Sequence, residues 1–222
     1  MAVIQTPGSS TLASVSPGFK SLTTSIKPDD SAGAYQIGVR SGAMTVVAAN
    51  APVFSFRFAP GTGQLCVVKR VTVSWVTTTG FTAGQAMGFG IFYARNFLTS
   101  DSGGTAIAPI NNNNQQFRTK LDTAQVTDLR IPTTGALTAG TRTLDAQPLG
   151  AVRFFAPTTT AGTQLLTTNL LLYSATEHPM VLQNNEGFVI NNQILMGAAG
   201  VGTLAVNVEW FETDAYKASV NT

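Results

Sequence analysis

The sequence predicts an all-β protein: an antiparallel jelly roll or β-sandwich with an extended N-terminal arm and one long inserted loop. Three observations carry this expectation. Segments of two-residue alternation recur, as at 53–58, where Phe54, Phe56 and Phe58 share one face and Ser55 and Arg57 take the other. β-Branched and aromatic residues and Thr fill these segments, and no apolar stripe of helical period runs beyond a few turns. The links between segments are irregular, some short and some very long. That favours Greek-key connections over the even hairpins of an up-and-down barrel. No internal repeat is visible.

Residues 1–33 form the expected arm. Pro7-Gly8-Ser9-Ser10, Ser16-Pro17-Gly18 and Lys27-Pro28-Asp29-Asp30 break it, and Ile4, Leu12, Val15, Phe19, Leu22 and Ile26 stand singly between the breaks. A disordered tail has no use for such anchors. They suit an arm lying across a neighbouring subunit, or one packed on its own domain. Residues 34–222 then make one domain.

Strands are expected at 35–41, 53–58, 67–78 and 86–97. In the third, Val71, Val73 and Trp75 oppose Thr72 and Ser74, and strict alternation puts Lys69 at the edge of the Trp75 face. In the fourth, Met87, Phe89, Ile91 and Tyr93 face one way, and Gly88 and Gly90 opposite them suggest close approach of another backbone. Residues 79–84 link the two. The character changes over 98–143: Ser100-Asp101-Ser102-Gly103-Gly104 is a turn cluster, Asn111 to Asn114 are a polar run, and Phe117 and Leu121 have the spacing of one short helix. A structureless stretch this long is uncommon inside a compact domain. Either it is a surface loop that contacts partners, or it conceals one or two edge strands. Strands resume at 152–155, 164–174, 180–182, 187–191 and 203–211. In the last, Leu204, Val206, Val208 and Trp210 oppose Ala205, Asn207 and Glu209.

Only 11% of the residues are charged, against about 25% in ordinary soluble domains, and mean hydropathy is +0.16. A surface this poor in charge suits a chain covered by copies of itself or by partners. The net charge of +2 gives no bulk attraction to nucleic acid. The distribution is uneven: residues 1–100 carry Lys20, Lys27, Arg40, Arg57, Lys69, Arg70 and Arg95 against Asp29 and Asp30, whereas 177–214 hold five acids and no base. This is either chance in a charge-poor chain or a basic flank, with Arg57 and Lys69, that meets the acidic flank of the next copy. Cys66 is the sole cysteine, so no internal disulfide exists, which fits a reducing compartment, and its apolar neighbours make it a small core residue. Residues 1–7 lack the regions of a signal peptide. The apolar run 194–208 is too short and too interrupted to span a bilayer, so no membrane is expected.

The residue types of catalysis are scarce. One His and one Cys cannot build a zinc site, and the Asp101 cluster lacks the alternating acids of a calcium loop. His178 lies between two strand signals with no nucleophile elbow. Glu209 and Glu212 are three apart on a strand and point to opposite faces, so they do not form a glycosidase pair. Gly88-Phe89-Gly90 and residues 197–202 mark places without room for side chains, not phosphate loops. Lys69-Arg70 beside Trp75 is the sole candidate for a nucleic-acid platform, and its face reads as core. No enzyme is expected, nor any catalytic, cofactor or metal residue. The interface candidates are Ile4, Leu12, Val15, Phe19, Leu22, Ile26, Arg57 and Lys69.

Several stretches together resemble a known family. They are His178-Pro179-Met180-Val181-Leu182, Asn185-Glu186-Gly187-Phe188-Val189-Ile190, Met196-Gly197-Ala198-Ala199-Gly200-Val201, and Val208-Glu209-Trp210-Phe211-Glu212 with Ala215-Tyr216. Upstream, Phe54-Ser55-Phe56-Arg57-Phe58, Lys69-Arg70-Val71 and Thr99-Ser100-Asp101-Ser102-Gly103-Gly104-Thr105 join them. Spread over residues 40–216, these stretches are similar to virion structural proteins of tailed bacteriophages. The resemblance implies a jelly-roll component with no catalytic motif, decorating or cementing the capsid exterior and assembled in the host cytoplasm. Its partners would be the major capsid protein and further copies of itself, a trimer by analogy with the local threefold positions of capsids. The alternative is a lectin-like, glycan-binding module on a tail or head fibre, with Tyr35, Phe81, Tyr173 and Tyr216 as its sugar platforms.

Overall fold

The computed structural model describes residues 33–61, 63–107, 124–156, 158, 164–173 and 179–213, with short strands at 3–4, 13–14 and 115–116. In chain order the strands are β1 (Val3–Ile4), β2 (Ala13–Ser14), β3 (Gly33–Arg40), β4 (Met44–Thr45), β5 (Ala51–Phe58), β6 (Leu65–Thr79), β7 (Gln85–Arg95) and β8 (Thr105–Ala106). They continue with β9 (Gln115–Gln116), β10 (Val126–Ile131), β11 (Thr143–Leu144), β12 (Gly150–Ala156), β13 (Gln164–Leu172), β14 (Met180–Leu182), β15 (Glu186–Asn192) and β16 (Val201–Thr213). No helix forms among the described residues. One sheet, here the front, runs β11-β7-β15-β5-β10-β8, with β12 also on β7. The back sheet runs β13-β6-β16-β3-β9, with β14 also on β6 and β4 on β16. The pairings within both sheets are antiparallel, for example Phe188↔Phe56 and Val206↔Val73.

The two sheets pack face to face into a β-sandwich, and large rings join them. Trp210 of the back sheet meets Phe56 of the front edge-on at 5.4 Å, and Trp75 lies 5.7 Å from Phe89. Phe56 stacks on Phe188 at 4.9 Å, and Tyr35 on Trp210 at 5.4 Å. Both indoles are fully buried, and each N–H is satisfied two residues along its own strand: Trp75 Nε1 donates to Thr77 Oγ1 and Trp210 Nε1 to Glu212 Oε1. The alternation read from the sequence thus places the core, at 71–75 and at 204–210 alike. Cys66 is a buried free thiol in that core. The glycines of 197–202 act as the spacing suggests. A Cβ on Gly202 would stand 2.1 Å from the Trp75 ring, and one on Gly200 2.0 Å from Phe81. Over Gly88 and Gly90 the cover is mostly side chains, those of Arg153, Ile194 and Gln193, with the Val152 carbonyl also close to Gly88.

Two expectations need correction. Lys69 does not share the Trp75 face. The β6–β16 register steps from Glu209↔Arg70 to Trp210↔Val68, so Lys69 is the extra residue of a β-bulge. The bulge switches parity: Val68 and Val71 both enter the core, while Lys69 and Arg70 both turn outward. Nor is 98–143 one structureless loop. It contains β8 and β9, and β10 lies between β5 and β8 in the front sheet. Val126, Leu129 and Ile131 of β10 are buried. At its two ends, on the outer face of the front sheet, Phe97 and Leu144 close a second small core on Ala94 and Val189.

The expected arm is described only at β1 and β2, which pair with each other and bring Ile4 opposite Ala13. Leu12, Val15, Phe19, Leu22, Ile26, His178 and the helix expected around Phe117 and Leu121 lie outside the described residues.

Candidate functional site

Most charged side chains among the described residues gather toward one end of the sandwich. The strands explain why. β5 ends, β6 begins, β7 ends, β15 begins and β16 ends there, and these termini carry Arg57, Lys69-Arg70, Arg95, Glu186 and Glu209.

Arg57 points outward from β5, as its alternation requires, and acts as an internal clamp. Its Nε donates to Phe97 O at 2.6 Å and its Nη2 to Leu98 O at 2.9 Å. Longer contacts reach Ser100 Oγ and Asn185 Oδ1. Asp128 sits opposite it on β10 and is itself held by Arg130 at 2.7 Å. A planar fork with several donors suits the capture of consecutive carbonyls.

Lys69 and Arg70 both reach Glu209, each at 3.1 Å, one to either carboxylate oxygen. Without the bulge the two cations would leave the strand on opposite faces. Basic and acidic flanks of the sequence therefore meet here inside one chain. Both cations are nearly half exposed, and pairs of this kind contribute at most about 1 kcal/mol.

A third cluster links the two sheets. The Tyr93 hydroxyl, from the front sheet, donates to Glu186 Oε2 at 2.5 Å and lies 2.8 Å from Val181 O on β14 of the back sheet. Arg95 covers the Tyr93 ring at 4.4 Å and pairs in bidentate fashion with Asp145. Burial first, and the hydrogen bond to Glu186 second, hold the phenol pKa well above its usual range. Tyr93 is thus a fixed donor and not a base.

Two buried acids complete the end. Asp101 is fully buried, pairs with Arg142, and accepts from Gly140 N at 2.8 Å. Thr141 N also donates to Thr99 Oγ1 at 2.7 Å, so the two ends of the excursion are sewn together. Arg142 lies over the Phe97 ring at 5.1 Å, and burial brings its pKa down to about 10. Glu212 is 1% exposed on the inner face of β16. Both of its oxygens accept from Gln125 N at 2.9 Å, and Oε1 also accepts from Trp210 Nε1. Burial lifts its pKa from 4.5 to about 7, against the pull of those donors. Cys66 lies opposite it on β6, with its thiol pushed up by burial and then by Glu212.

Each of these groups fixes shape: the clamp, the bulge pair, the cross-sheet phenol and the two buried acids hold loops to strands. Glu209 faces outward and Glu212 inward, so they do not converge. Among the described residues no three His, Cys, Asp or Glu side chains come together to hold a metal ion. The sequence pointed to Arg57 and Lys69 but not to Asp101–Arg142 or Glu212–Gln125, whose partners are distant along the chain. No protein-family model and no curated protein matches the chain.

Proposed function

We propose that this chain is a structural virion protein of a tailed bacteriophage, which decorates or cements the capsid exterior by bridging neighbouring capsid subunits. It would act as a homo-oligomer, a trimer at the local threefold positions. The observation that carries this reading is the strand order. In one sheet β3-β16-β6-β13 lie side by side, and β5-β15-β7-β12 in the other. Chain order and sheet order together fit two interleaved Greek keys, the jelly roll that capsid and lectin domains use. The phage-like stretches fall mostly on these strands and on the turns between them, and low overall charge supports a role exercised through contact. The buried, unpaired Cys66 agrees with assembly in a reducing cytoplasm.

The lectin-like alternative draws less support. Tyr35 is buried against Trp210 and Phe81 is buried against Gly200, so neither ring is available to stack on a sugar.

Co-sedimentation tests the proposal. Purified chain mixed with capsids of the same phage that lack it should pellet saturably at a fixed ratio. A chain that stays in the supernatant at every ratio contradicts it. Deleting residues 1–30 should lower occupancy; unchanged occupancy removes the arm from the mechanism.

A further inference from the structure

Among the described residues, the end of the sandwich opposite the charged one carries almost no charge, and this follows from the sequence in a way composition alone does not show. Three runs, 41–56, 71–94 and 187–208, contain no Asp, Glu, Lys or Arg. Each run doubles back at this same end: the first at 46–50, the second at 80–84, the third at 193–200. The three turns are fastened to one another. Met196 N donates to Val47 O at 2.9 Å, Asn192 Nδ2 reaches Val47 O and Ala48 O at 3.1 Å, and Gly197 N donates to Gln85 Oε1 at 2.9 Å. Phe81 packs on Gly200.

This rigid tip presents large apolar side chains to solvent. Val46 is 56% exposed and Leu195 61%. Phe155, which touches Gly84 at the rim, is 63% exposed. Ala48, Ala49, Ala83, Ala198 and Ala199 are exposed as well. Val46 also holds φ at +49°, a left-handed backbone that a β-branched residue adopts only at a cost. Asn or Gly would be the ordinary occupant of that position, and the isopropyl group there is more than half exposed. Arg40, opposite Ala205, and Arg153, opposite Gly88, stand back from the tip.

We propose that this uncharged tip is a self-association surface on which a second copy of the chain docks, tip to tip. Charge decides the occupant. A tip whose described residues include no charged group has nothing to offer a basic or acidic partner. It does fit a surface that is itself uncharged, so that no ion is buried without a counter-ion. The identical tip of another copy is such a surface, and a symmetric contact requires that the patch complement itself. Arg40 and Arg153 then lie on the polar rim, cation toward cation. This contact therefore holds or tightens as salt rises, whereas pairing of basic and acidic flanks weakens with salt. The proposal rests on the reading of a contact protein and adds to it: this two-fold contact is separate from the threefold contacts of the trimer and joins further copies through the tip.

Sedimentation velocity of the full chain over a concentration series tests it. The wild type should form oligomers whose dissociation constant stays the same or falls from low to high salt. Leu195→Asp should weaken association by about 30-fold or more, the range of a central interface residue. Leu98→Asp, at the charged end where Leu98 is equally exposed, should leave it unchanged. Val46→Asn relieves the backbone and removes the isopropyl group, so it should hold or raise the melting temperature while weakening association. A chain that is monomeric throughout, Leu195→Asp associating as the wild type does, or an association that dissolves at high salt would overturn the proposal. The two readings fail separately: binding to capsids with no tip-mediated association rejects this inference alone, and tip-mediated association without capsid binding rejects the virion role alone.

Discussion

Replacing Glu212 by Gln removes one titrating carboxyl from the core, and the structure fixes the sign and size of the effect. Glu212 is buried on β16 and accepts from Gln125 N with both oxygens. Burial raises its pKa from 4.5 to about 7 in the folded chain. The folded state therefore binds this proton more tightly than the unfolded chain does. The stabilisation is complete below about pH 4.5 and is lost as pH climbs through about 7. One pKa unit corresponds to about 1.4 kcal/mol, so up to about 3 kcal/mol of unfolding free energy disappears across that window. Urea unfolding at closely spaced pH values reads it directly. The wild type should lose stability relative to Glu212→Gln from pH 4.5 to 7 and run parallel to it above pH 8. Parallel curves across the whole range, or a wild type that gains on the variant as pH rises, would refute the assignment of a buried carboxyl that keeps its proton more tightly in the folded chain.

Other outcomes follow from the same geometry. Asp101→Asn leaves Arg142 buried without its counter-ion and should cost about 3–5 kcal/mol by chemical denaturation, with much of the loss recovered when Arg142 is also made apolar. Arg57→Ala strips the Phe97 and Leu98 carbonyls of their donor and should cost about 1–3 kcal/mol in the same assay; Arg57→Lys should restore little of it, because one ammonium cannot reproduce the fork. Gly202→Ala drives a methyl group into the Trp75 ring and should destabilise by about 1–3 kcal/mol, visible as a lower Tm and altered near-ultraviolet circular dichroism. Lys69→Ala, on an exposed pair, should shift stability by less than about 1 kcal/mol.

Where one strand face meets water and the other the core, the sequence was readable. The alternation at 71–75 and 204–210 places Trp75 and Trp210 inside with no further information, and the crowded glycines at 200 and 202 announce the rings above them. Legibility fails where the period of two is broken. A single bulge at Lys69 sends that side chain to the opposite face, and no residue type marks it. β10 stayed hidden for the same reason: the register slips between Val126 and Asp128, so Val126, Leu129 and Ile131 never alternate cleanly. The buried acids are unreadable for another reason. Asp101 meets Arg142, and Glu212 meets Gln125, only because the excursion returns over the sheet, and that return is a property of topology and not of local pattern. The uncharged tip was visible as three charge-free runs, but only the strand order shows that all three turn at one end.

Electron cryo-microscopy of intact phage particles, with and without this chain, bears on the whole account at once. The account predicts repeated density on the outer capsid surface into which the two-sheet sandwich fits, present only in particles carrying the chain and bridging adjacent capsid subunits. A capsid surface identical in the two maps would contradict it.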